Sequence, residues 1–157
     1  MAKAAGLDAF KEIHEIKEKQ SGRKIKVGII GTGWIAGNHA EEYLKMDDVE
    51  IVALADLIPG KAAAFAEEYG LENARIYESD VAMLEAEKDL DGVSICTYNC
   101  QHAPCAIHAL DAGINVMLEK PFTVTLDEAI EVMRAEKRSG KILTIGWDRE
   151  QSCLAKR

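Results

Sequence analysis

The chain has 157 residues, of which 48% are hydrophobic and 29% charged, with 19 basic against 27 acidic side chains and a formal net charge of −8. That length suits one domain with a real core, and the composition is ordinary for a globular protein. The acidic balance and the lack of a basic stripe argue against a nucleic-acid partner, while the lack of a membrane-length apolar run or a signal-peptide pattern sets the expectation of a cytoplasmic protein.

Residues 1–24 form a preface. Leu7, Phe10, Ile13 and Ile16 recur every third residue among Lys and Glu, which predicts a short amphipathic helix, broken by Ser21-Gly22. From there strands and helices alternate. Strands are expected at 25–30, 50–55, 75–77, 92–96, 114–118 and 141–145, with helices at about 35–46, 60–69, 80–87, 102–112 and 126–139. Runs such as Val27-Gly-Ile-Ile are apolar throughout, as in a parallel sheet covered on both faces. Gly70, Gly113 and Gly140 stand where helices stop, Pro59 where the second helix starts, and Thr125-Leu-Asp-Glu128 reads as a capping box. The pattern predicts a doubly wound α/β domain over 25–150, followed by a tail, 151–157.

The first strand runs into Gly31-Thr32-Gly33-Trp34-Ile35-Ala36, a G-x-G-x-x-A loop that opens a helix. Asp56 ends the second strand, 23 residues after Gly33. This is the Rossmann dinucleotide fingerprint. Gly31 permits the turn, Gly33 lets a pyrophosphate reach the backbone, Ala36 lets helix and strand pack closely, and Asp56 accepts the ribose hydroxyls. Free N–H groups at the helix start near Ile35 face the phosphates. A carboxylate at Asp56 with no adjacent arginine predicts NAD over NADP; Lys61 is the one residue able to blunt that preference.

Polar residues gather after the other strands as well: Thr97-Tyr98-Asn99-Cys100-Gln101-His102, Glu119-Lys120-Pro121 and Gly146-Trp147-Asp148-Arg149. Lys120 beside a nicotinamide could hydrogen-bond a substrate hydroxyl and help lower its pKa as hydride leaves. A solvated Lys-Pro turn is the plainer alternative. Four cysteines, Cys96, Cys100, Cys105 and Cys153, lack zinc-finger spacing, so the clustered three are expected to be buried reduced thiols with no metal.

The order G-x-G-x-x-A, strand-end Asp, T-x-N-x-x-H, E-K-P, then G-x-x-R resembles the N-terminal domain of the Gfo/Idh/MocA oxidoreductases, from about Lys24 to Arg149. The resemblance implies NAD(P)-dependent hydride transfer to or from a sugar, cyclitol or polyol. It implies the catalytic role for Lys120, cofactor contacts for Thr97, Asn99, His102 and Glu119, and a place for Arg149 near the nicotinamide. Tyr98 departs from the family's usual proline, which is expected to put an aromatic ring near the nicotinamide side. Family members continue into a second α+β domain that supplies the catalytic histidine, and His14, His39 and His108 are not placed to replace it. The expectation is therefore a truncated product or stand-alone domain that binds NAD without turnover and self-associates as a homo-oligomer through uncovered surface near Trp147. The alternative reading is a non-catalytic dinucleotide-binding sensor or interaction module. A methyltransferase also uses a glycine loop and a strand-2 acid, but gives no reason for E-K-P.

Overall fold

A computed structural model describes residues 22–146. The helix expected before Ser21, as well as Trp147, Arg149, Cys153 and the tail, lies outside the described residues. In chain order the elements are β1 (Ile25–Ile30), α1 (Trp34–Leu44), β2 (Val49–Ala55), α2 (Lys61–Glu68), β3 (Arg75–Tyr77), α3 (Asp80–Ala86), β4 (Gly92–Ile95), α4 (Asn99–Asp111), β5 (Asn115–Leu118), α5 (Leu126–Ser139) and β6 (Leu143–Ile145). The strands form one parallel sheet in the order β3-β2-β1-β4-β5-β6. The strand order reverses direction between β1 and β4, which is where doubly wound sheets open a crevice.

Two apolar clusters cover the two faces. On one, Ile29, Ile51 and Leu54 pack with Ala36 and Ala40 of α1 and with Ala62 and Phe65 of α2. On the other, Ile30, Val93, Ile95, Val116 and Leu118 pack with Met83, Leu110 and Val132 of α3, α4 and α5. The alternation along β5 leaves Met117 exposed on the α1 side of the sheet, where the Tyr43 hydroxyl lies 3.7 Å from its sulfur. The punctuation holds: the three helix-end glycines take positive φ, and Thr125 accepts from Glu128 N at 3.2 Å while Glu128 accepts from Thr125 N at 3.0 Å.

The fourth helix differs from the expectation. It starts at Asn99, not at 102, because Tyr98 takes the extended N-cap conformation directly after the strand end and Gln101 N donates to Tyr98 O at 2.8 Å. Asn99 to His102 therefore form a first helical turn and not a loop. The last strand begins at Leu143, not 141, because the Gly140 turn runs on and Ile142 N donates to the Asn115 side chain at 3.1 Å.

Candidate functional site

The residue just beyond a strand donates its N–H to the neighbouring strand. Gly31 N bonds Ala55 O at 2.7 Å, Cys96 N bonds Ile30 O at 2.8 Å, Glu119 N bonds Ile95 O at 3.0 Å, and Gly146 N bonds Leu118 O at 2.6 Å. These bonds set the loops at one level, along the carboxyl edge of the sheet, astride the switch between β1 and β4.

Gly31 has φ +84°, and a Cβ there would lie 2.8 Å from Thr97 N and 2.9 Å from the Cys96 carbonyl. Conformation and space both require glycine. Gly33 is the extended N-cap of α1, with no capping side chain and no acid in the first turn. A Cβ on Gly33 would meet only Lys61 Nζ, at 3.9 Å, so the space above this helix start is open. An open backbone cradle at the N-terminus of a helix whose first turn carries no acid fits a diphosphate. Ala36 is fully buried in the cluster that holds Ile29, Ile51 and Leu54. Its neighbour Gly37 lies under Tyr69, whose Cζ would be 3.0 Å from an added Cβ; the motif reading did not single it out.

Asp56 sits beside this loop. Its Oδ2 accepts from Thr32 N at 2.8 Å and Thr32 Oγ1 at 2.9 Å and faces Lys61 Nζ at 3.2 Å, while Oδ1 accepts from Ile58 N at 2.9 Å. Burial pushes its pKa up, but the bonds from Ile58, Thr32 and Lys61 outweigh that and hold it below the ordinary value. Thr32 thus acts on the carboxylate through both its backbone and its side chain.

A cleft of about 510 Å³ opens over these residues, lined by Gly33, Trp34, Asp56, Ile58, Tyr98 and Gln101 among others. Tyr98 lines the Asp56 cleft and stands directly before α4 as its N-cap. Thr97 also lines it, with a buried hydroxyl that has no hydrogen-bond partner among the described residues beyond a weak contact with the Cys105 thiol. Asn99 is exposed at the helix start. His102 lies beneath the surface of the site. It is 1% exposed, with Nδ1 2.7 Å from Pro121 O and Nε2 3.2 Å from Thr97 O, so it ties two site loops together from beneath. Cys96 and Cys105 are buried, and burial raises both thiol pKa values, that of Cys105 to about 12. Cys100 is exposed, contrary to the expectation of three buried thiols.

A second cleft, of about 720 Å³, lies on the other side of Trp34 and Ile35 and is lined by Asn38, His39, Tyr43, Glu119 and Lys120. Lys120 is exposed and its bond to Pro121 is cis. Glu119 turns back under it: Oε2 accepts Lys120 N at 3.1 Å and Oε1 meets His39 Nε2 at 2.8 Å. The glycine loop, Asp56 and Thr97 thus share one cleft, Glu119 and Lys120 share the other, and Trp34 and Ile35 line both.

A family model described as an oxidoreductase family with an NAD-binding Rossmann fold matches residues 25–147. The chain belongs to this family, the Gfo/Idh/MocA oxidoreductases. It is 38% identical to D-glucoside 3-dehydrogenase of Escherichia coli (strain K12) over 129 residues, which is 82% of this chain and 36% of the relative. Among solved structures, myo-inositol dehydrogenase from Lactobacillus casei in complex with NAD(H) and myo-inositol matches with a TM-score of 0.75 and 28% identity, over 83% of this chain and 40% of that one. Biliverdin reductase from Synechocystis, in complex with biliverdin and NADP+, matches with a TM-score of 0.69 and 30% identity, over 77% and 37%. The chain thus spans little more than a third of the length of the relatives it matches.

Within the Gfo/Idh/MocA frame, this is an NAD(P)-binding Rossmann domain. Sequence reasoning passed over three of its polar groups. His39 was weighed only as a substitute catalytic residue, and Ser94 and Tyr43 were not considered. The usable signal was Ile35, His39 and Tyr43 at four-residue spacing, one stripe of α1 that holds two polar side chains.

Proposed function

We propose that the domain binds NAD with the pyrophosphate over Gly31, Thr32 and Gly33, the adenosine ribose on Asp56, and the nicotinamide toward Lys120. The observation that carries this is the arrangement along the carboxyl edge. The cradle and Asp56 face one cleft, Lys120 faces the next, and Trp34 and Ile35 lie between them. Thr97 and Asn99 flank the path between, and Glu119 and His102 support it from below.

The parent reaction is hydride transfer between a nicotinamide and a hydroxyl-bearing carbon of a sugar, cyclitol or polyol. The names of the relatives support that substrate class. Bound nicotinamide supplies the hydride acceptor. Lys120 hydrogen-bonds the substrate hydroxyl and eases removal of its proton. Arg149 stays near the nicotinamide in this reading. A polypeptide of these 157 residues binds cofactor with little or no turnover: among the described residues His39 is held by Glu119 and Ser94 and His102 is buried, so neither serves as an acid–base partner, a group worth about 10²–10⁴-fold in rate. Incubation with NAD and inositol or glucose is expected to give no steady NADH; enzyme-like NADH production contradicts that reading.

A further inference from the structure

A polar string leaves Glu119 and runs into the sheet face. His39 Nε2 lies 2.8 Å from Glu119 Oε1, and His39 Nδ1 lies 3.2 Å from Ser94 Oγ. Ser94, fully buried on β4, lies 2.6 Å from the Tyr43 hydroxyl. The His39 and Glu119 side chains are only 8% and 13% exposed. An ionised carboxylate only accepts, so Nε2 carries the proton toward Glu119. Nδ1 of a neutral ring then accepts from Ser94, and Ser94 accepts from Tyr43. One consistent direction satisfies every member.

The string ends at the residue that carries the Lys120 backbone. Glu119 Oε2 accepts Lys120 N, while Oε1 is held by His39. The space around that carboxylate is confined from the last strand: a Cβ on Gly146 would lie 3.0 Å from Glu119 Oε1. Ser94 is fully buried and His39, Glu119 and Tyr43 are partly buried around it; placing polar groups where apolar ones would pack carries a desolvation cost, which is more than a sheet face needs for packing alone.

We propose that His39 is a positioning residue for Lys120: it clamps Glu119, which fixes the Lys120 backbone, and the Ser94–Tyr43 pair holds the ring in its Nε2–H tautomer. This rests on the reading of Lys120 as the nicotinamide-side residue. His39 itself touches no substrate in this account.

The test is nuclear magnetic resonance on the full 157-residue chain, followed by titration. Long-range ¹H–¹⁵N spectra of the unmodified protein should show the Nε2–H tautomer of His39; the Nδ1–H tautomer overturns the proposal without any variant. In His39→Leu the Lys120 amide should shift and lose at least ~10-fold of its exchange protection, as expected for losing a bond to a charged acceptor. His39→Gln, which keeps a donor toward Glu119, should restore most of it. An unchanged Lys120 amide in a folded His39→Leu protein overturns the proposal. Adding NAD should shift the Lys120 amide of the unmodified protein, whereas ADP-ribose, which lacks the nicotinamide, should leave it nearly in place. If the Lys120 amide responds to His39→Leu but NAD and ADP-ribose shift it alike, the clamp stands and the assignment of Lys120 to the nicotinamide fails.

Discussion

Asp56 stays ionised into the acid range because donors from Ile58, Thr32 and Lys61 outweigh the effect of its burial. A depressed folded pKa means that the stabilisation is present above the unfolded value and is lost as pH falls through the folded one. A carbon-13 titration of Asp56 should therefore give a midpoint below that of a model aspartate; an ordinary or raised midpoint contradicts the hydrogen-bonded geometry. Lys61, 3.2 Å away, partly offsets the charge that would repel a 2′-phosphate. NAD should still be preferred over NADP, but by less than the ~30- to 150-fold that an unpaired carboxylate imposes. Lys61→Ala should widen the gap in calorimetric titration, and an unchanged ratio would remove Lys61 from the account. Gly31→Ala is expected to cost about 2 kcal/mol or more, since positive φ and a backbone clash act together. A urea midpoint like that of the parent would show the loop to be less tight than described.

At the scale of elements, α5 owes its start to the reciprocal Thr125–Glu128 cap, and Thr125→Ala should cost ~1 kcal/mol by urea denaturation. The short edge strand β3 is held differently. Arg75 and Tyr77 both donate to the buried Glu87, and the bond from Arg75 foremost holds that carboxyl below its usual value. The pair therefore stabilises the fold above the ordinary carboxylate range and fades as pH falls through the depressed value. Glu87→Gln should be less stable near neutrality and flatter with pH in the acid range; parallel stability–pH curves would contradict this. Six strands and five helices were legible because apolar runs, terminal glycines and the capping box agree with one another. The start of α4 was not, because Asn99 to Gln101 carry no apolar periodicity and the helix is set by Tyr98's backbone beside the strand end. The glycine loop was legible because positive φ and close backbone approach at Gly31 require glycine, and Asp56 because it follows the second strand at the fingerprint spacing. The Glu119–His39–Ser94 string was not, since it joins α1, β4 and the β5 end, whose neighbourhood only the folded sheet creates.

At the scale of the molecule, the described residues hold the two clefts along one sheet edge, and their α1 side exposes Met46 and Met117, with Ile142 and Ile145 also exposed along the sheet's last stretch. We propose that this apolar surface drives self-association, to be seen as a mass that rises with concentration in light scattering; a clean monomer at high concentration contradicts it. Among the described residues no helix is long and apolar enough to cross a membrane, and no group of three His, Cys, Asp or Glu could hold a metal. The central claim is that the adenosine half of NAD rests on the glycine loop and Asp56 while Lys120 serves the far end. Calorimetric titration of NAD into the unmodified chain, Asp56→Ala and Lys120→Ala tests it most directly. The account predicts one saturable site, weakened by ~1–2 kcal/mol (about 5- to 30-fold) in Asp56→Ala and kept within a few-fold in Lys120→Ala. Absence of NAD binding, or an Asp56→Ala protein that binds as tightly as the parent, would contradict it.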